Sequence, residues 1–199
     1  MHTIMLRLLL VAATALPFQF AMAKTEVEVS TVRPGMDYGK YNKFLIRPLQ
    51  ISDTRIIPPP WAEGAAAKPR AWDISDKNEV FLMEQYHSAM KKQLEEIGGY
   101  ALVTEPEDGT LAVEVEIISL TPWANRDEQV ITKGSGEMTF RAEIRDAMTR
   151  EILVIYEGDT PVGEDYQENT EFTVKQNVDE LFETWGEFLR LALEKAKKG

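Results

Sequence analysis

Beyond residue 23 the chain offers one imidazole, His87, and it contains no cysteine. Nucleophilic hydrolysis sets a nucleophile beside a base and an orienting group. No serine here stands in a G-x-S-x-G elbow. Gly134-Ser135-Gly136 is too short a match and precedes a strand pattern, where glycines commonly make a bulge. His87 falls on an apolar helical stripe, which makes it a core histidine rather than a base. Zinc would need more nitrogen or sulfur ligands than one histidine supplies. Calcium needs only oxygen. Asp159, Glu164, Asp165, Glu168 and Glu171 lack the D-x-[DN]-x-[DN]-G order, so they read as a solvated acidic loop. Neither G-x-G-x-x-G nor G-x-x-x-x-G-K-[ST] occurs, so no phosphate cradle is encoded. Paired carboxylates can hydrolyse glycosides. With 33 acidic residues some pair always exists, so a periplasmic hydrolase using acidic residues stands only as the alternative. The sequence assigns no catalytic residue, no metal ligand and no cofactor.

Binding chemistry is better represented. Trp61 follows Pro58-Pro59-Pro60, Trp72 lies in the same Pro/Ala-rich stretch, and Trp123 follows Pro122 with Arg126 close behind. Proline fixes φ and stiffens the approach to each ring. A stiff aromatic loses little entropy on binding, and Trp and Arg are enriched at binding hot spots. The segments 56–72 and 122–128 are therefore the expected contact surface, with Trp61, Trp72, Trp123 and Arg126 as its residues. The other reading, that these tryptophans are lids on the core, stays open. The partner is an envelope protein or a small ligand.

The chain has 199 residues, 44% of them hydrophobic, with 22 basic and 33 acidic side chains and a net charge of −11. That acid excess repels phosphate backbones and argues against nucleic acid as a partner. The first residues carry their own signal. Arg7 is followed by the apolar run Leu8 to Leu16, broken by Pro17, and then by Ala21-Met22-Ala23. A charged start, a short apolar core and an A-x-A end form a secretory signature. The run is too short and too interrupted for a spanning helix. Residues 1–23 are expected to be cleaved, leaving 24–199 as one domain, periplasmic or secreted, with no stable membrane anchor.

Several elements must position the loops. Val27, Val29 and Thr31 alternate with acids and Ser30, which predicts a short edge strand, and 43–51 predicts a strand disturbed at Pro48. A helix starts at Ser75 or Asp76. Its stripe is Val80, Met83, His87, Met90, Leu94 and Ile97, and Gly98-Gly99 stops it. A short strand follows at 100–104. Leu111, Val113, Val115 and Ile117 alternate with Glu114 and Glu116, and Met138 to Ile144 alternates with Arg141 and Arg145. Paired as a hairpin, these two strands place Glu114 and Glu116 on one face with Arg141 and Arg145. Ile152 to Ile155 predicts a strand buried on both faces. A long helix from about Val174, capped by Thr173, carries Val178, Leu181, Phe182, Trp185, Phe188 and Leu189 on one stripe. The expected fold is α+β in the order β-α-β-β-β-β-α, a mainly antiparallel sheet with two helices packed on one face.

Local phrases in this order resemble a family of bacterial envelope proteins, domain of unknown function 3313. They are Asp37-Tyr38-x-Lys40-Tyr41 before Phe44-Leu45-Ile46-x-Pro48, Gly99-Tyr100-Ala101-Leu102-Val103 with Pro106, Leu111 to Val115, and Phe182-x-x-Trp185-x-x-x-Leu189-Arg190. The resemblance implies an exported protein, often a lipoprotein, with a small α/β domain and no implied site. This chain lacks the lipid-accepting cysteine, which favours a form without a lipid anchor.

Overall fold

The computed structural model describes residues 26–59, 61–64, 74–125 and 128–198. The proposed signal segment lies outside the described residues. Among the described residues nine strands and two α-helices follow in order: β1 (Glu26–Val32), β2 (Lys43–Ile46), β3 (Arg55–Ile56), α1 (Asp76–Lys91), β4 (Ala101–Leu102), β5 (Thr110–Pro122), β6 (Ile131–Lys133), β7 (Gly136–Asp146), β8 (Ile152–Val162), β9 (Tyr166–Glu168) and α2 (Glu171–Lys198). The main sheet runs β1-β8-β7-β5-β2-β4, with β3 added beside β5, while β6 and β9 make a separate ribbon.

The alternation in β5 and β7 does what its pattern requires. Val113 pairs with Ile144, Val115 with Ala142 and Ile117 with Phe140, and their helix-side faces supply much of the core. The opposite face carries the charges. Arg145 reaches Glu114 at 3.3 Å, and Arg141 reaches Glu143 at 2.8 Å and Glu157 at 3.4 Å. Glu116 stands opposite Arg141 in register. This ladder is a solvated sheet face.

The sheet is mixed where a mainly antiparallel one was expected. The pairs β1–β8, β8–β7 and β7–β5 are antiparallel, but β2 and β3 join β5 in parallel, and β4 joins β2 in parallel. The cause is α1. A helix between β2 and β4 returns the chain to the end where β2 began, so the next strand must run the same way. The strand expected over 43–51 ends as β2 at Ile46, two residues before Pro48, and the chain regains β5 through the Gln50 N–H bond to the Val115 carbonyl at 2.9 Å.

Both helices cover one face of the sheet. In α2, Val178, Leu181, Phe182, Trp185 and Leu189 of the expected stripe are buried, Leu193 extends it, and Phe188 is half-buried. The helix begins earlier than expected, at Glu171, because Thr170 accepts the Thr173 N–H at 3.2 Å and closes the first turn. In α1 the expected stripe holds only in part, with Met90 and Leu94 buried and Met83 half-buried against the core. Leu82, Tyr86, Ala89 and Met90 are buried, whereas Val80 and His87 are exposed. A wide π-helical stretch, Lys92–Ile97, then keeps Gln93 and Leu94 inward and rotates Ile97 out. His87 is thus a surface residue, not a core histidine. The two helices approach closely at Gly186, where a Cβ would sit 3.0 Å from Gln93.

Candidate functional site

Parallel pairing of β3 with Ser119 and Leu120 lays the following loop along the end of β5. The Ile57 N–H donates to the Leu120 carbonyl at 2.9 Å and continues that alignment toward Pro58, Pro59 and Trp61. The strand β5 ends at Pro122, so Trp123 leaves the sheet at the same place. The two indoles meet there, with ring centroids 5.4 Å apart and planes inclined by 20°. Trp123 is half-buried, and Trp61 remains 55% exposed. Two tryptophans singled out in the sequence thus form one aromatic platform. The other two nominated residues, Trp72 and Arg126, lie outside the described residues.

The platform stands on fixed backbone. The Trp123 N–H donates to the Ser135 carbonyl at 3.1 Å. The Asn169 amide donates to the carbonyls of Asn125 at 2.7 Å and Glu128 at 2.8 Å, which ties the loop after Trp123 to the start of α2. The Ser135 hydroxyl accepts from the Asn177 amide at 2.7 Å, so that serine is a strut between β7 and α2. Around this end lie exposed apolar side chains that the sequence did not single out. Ile57 and Ile131 are exposed, Tyr166 is 77% exposed and Phe172 is 75% exposed. Ribbon pairing of Lys133 with Tyr166 and the adjacent start of α2 bring them to the loop end of β5 and β8. Only an isolated apolar residue among polar neighbours, as at Phe172, hinted at this.

The remaining chemistry is sparse. Asp179 is raised above the ordinary carboxylate value by burial and then by Glu183 and Glu180 beside it. It belongs to a helix face rather than to a pair facing across a cleft. Among the described residues no group of three His, Asp or Glu side chains could hold a metal ion, and no helix is long and apolar enough to cross a membrane.

Fold and site together define a mixed α/β protein that presents an aromatic surface at one end of its sheet. The chain belongs to the family described as "Protein of unknown function (DUF3313)", whose model matches residues 22–189. No curated protein matches it. Solved structures similar to it include a Xanthomonas campestris protein at 11% identity, covering 85% of this chain and 97% of that one with a TM-score of 0.46. A PelC dodecamer from Paraburkholderia phytofirmans follows at 8% identity, with coverage of 83% and 97% and a TM-score of 0.43. A minor lipoprotein from Acinetobacter baumannii matches at 10% identity, with coverage of 76% and 94% and a TM-score of 0.37.

Proposed function

We propose that this chain is an exported cell-envelope binding module without catalysis of its own, soluble after cleavage near Ala23. It takes a protein partner or small ligand at the end of the sheet that carries Trp61 and Trp123. One observation supports this above the others: the stack leaves the Trp61 ring outward while Trp123 backs it. A core lid would bury the outer ring. Trp72 and Arg126 flank the pair in sequence and join it as contact residues in this reading.

The test is capture from envelope fractions with quantitative mass spectrometry, using the wild type, Trp61→Ala and Trp123→Ala. A hot-spot tryptophan contributes about 2 kcal/mol or more, roughly a thirtyfold loss of affinity. The expected result is a partner that Trp61→Ala no longer retains while its unfolding midpoint stays nearly unchanged. Equal capture by all three proteins would remove the site. N-terminal sequencing of the exported protein should begin at Lys24.

A further inference from the structure

The β6–β9 ribbon leaves apolar side chains outside where the main sheet leaves charges. Ile131 pairs with Glu168, Thr132 with Gln167 and Lys133 with Tyr166. Alternation puts Thr132 and Gln167 on one face, half-buried, and the other four residues on the exposed face. Ile131 is 70% exposed and Tyr166 is 77% exposed. They stand diagonally across the ribbon, within reach of one occupant.

The backbone of β6 is open along its outer edge. The Gly134 N–H donates to the Asp165 carbonyl at 2.9 Å, and the Asn169 N–H donates to the Val130 carbonyl at 2.9 Å. These bonds set the phase of the ladder. Thr132 and Gln167 face each other, so Ile131 and Lys133 turn their N–H and C=O groups away from β9. Among the described residues no other strand pairs with β6. The outer edge of β9 is engaged instead, because the Glu168 carbonyl accepts the Thr173 hydroxyl at 2.7 Å. An open edge is a template for one more strand. The Thr132 hydroxyl bond to the Gly134 carbonyl at 2.7 Å helps to fix this edge before anything binds, which lowers the entropy cost of binding.

Carboxylates stand along the same edge. Glu128 precedes β6, Asp165 lies opposite Gly134 just beyond Lys133, and Glu168 lies opposite Ile131, all three exposed. Lys133 is the only cation in the two strands. On a chain of net charge −11 this arrangement selects a cationic partner and repels an anionic surface.

We infer that the β6 edge takes an extended peptide segment of a partner protein, with apolar side chains beside Ile131 and Tyr166 and basic side chains at both ends. This rests on the reading that this end of the sheet is the contact surface, and it makes the partner there a protein.

The probe is a fluorescein-labelled peptide, Lys-Lys-Val-Ser-Val-Lys-Lys, followed by anisotropy as the whole protein is added. Placed antiparallel to β6, its valines lie opposite Ile131 and Lys133, and its lysines reach toward Glu128 and Asp165. It should bind saturably, and Glu-Glu-Val-Ser-Val-Glu-Glu at least roughly tenfold more weakly. N-methylation of both valines keeps charge and apolarity but removes the edge bonds, so it should weaken binding at least roughly tenfold, the yield of two neutral hydrogen bonds. Ile131→Ser and Tyr166→Ser should each weaken the lysine peptide about fivefold or more, with unchanged unfolding midpoints because both side chains are exposed. The N-methyl comparison uses the wild type, so it decides even where a variant does not fold. Binding that survives Trp61→Ala and falls in the ribbon variants supports the edge even if the tryptophan platform captures nothing. Equal binding of the N-methylated peptide, no loss in either ribbon variant, loss in Trp61→Ala alone, or no saturable binding to the wild type would overturn it. Sedimentation with phosphatidylcholine vesicles that Tyr166→Ser abolishes would assign this face to lipid and overturn it too.

Discussion

Trp61 and Trp123 arrive from separate loops and stack at 5.4 Å, with Trp123 half-buried and Trp61 facing outward. The asymmetry separates stability from binding. Aromatic pairs of this kind couple by about 0.5–1.5 kcal/mol beyond area burial. A double-mutant cycle in urea with Trp61→Ala, Trp123→Ala and the double variant should return a coupling in that range. Trp123→Ala should cost the more stability of the two. A coupling of zero would mean that the rings do not touch in solution.

Trp185 faces the other way. Its ring lies 4.4 Å from Phe140 and 5.3 Å from Phe182, centroid to centroid, inside the core. Trp185→Ala should cost about 3–5 kcal/mol, as large core truncations do. An unchanged unfolding midpoint would place this face of α2 in solvent.

Sequence patterns revealed the elements whose burial is local and periodic. The alternation in β5 and β7 and the stripe from Val178 to Leu189 sit on regular backbone, so position predicts face. Two things were hidden. Parallel pairing of β2, β3 and β4 depends on where α1 returns the chain, which no window of residues contains. The face of α1 is displaced because Tyr86 takes the inner position that the spacing predicts for His87, and the π-helical stretch breaks the period before Ile97. Of the site, the two Pro–Trp approaches were readable, but the stacking is a contact between distant segments. Exposure at Tyr166 and Phe172 depends on packing that sequence does not display.

His87 follows from that displacement. It is exposed on α1, so His87→Gln should change stability by less than about 0.5 kcal/mol, as surface substitutions away from special features do. Calorimetric unfolding at neutral pH checks this. A loss above about 2 kcal/mol would restore the core reading.

Gly163 turns the chain with φ of 82° directly against Asn177, where an added Cβ would meet the amide at 2.4 Å. Both terms oppose a side chain: left-handed backbone costs about 1–2 kcal/mol and crowding about 1–3 kcal/mol more. Gly163→Ala should lose roughly 2–5 kcal/mol in denaturant unfolding on these two grounds. In an Asn177→Ala background, which has already lost the strut to Ser135, Gly163→Ala should cost only the backbone part. An undiminished cost in that background would mean that Asn177 is not what the methyl strikes.

Asp146 closes the β7–β8 turn and ties it to the segment before β2. Its carboxylate accepts the N–H groups of Met148 and Thr149 at 3.0 Å each, the Tyr41 hydroxyl at 2.8 Å, and lies 3.5 Å from the Lys40 ammonium. Burial alone would raise this group. The Thr149 N–H, the Tyr41 hydroxyl, the Met148 N–H and Lys40 outweigh it and bring it from 3.8 to about 2. A carboxyl depressed on folding stabilises the native state above its unfolded value and loses that contribution as pH falls toward its folded value. The window here runs from about 3.8 down to about 2. Asp146→Asn keeps an acceptor for the turn but removes the charge, so it should be less stable than the wild type at pH 7. Other acids titrate in both proteins and cancel in the difference. The gap between the two, from urea unfolding at a series of pH values, should therefore close across that window. A gap that stays constant down to pH 2 would show that the charge of Asp146 does not hold this turn.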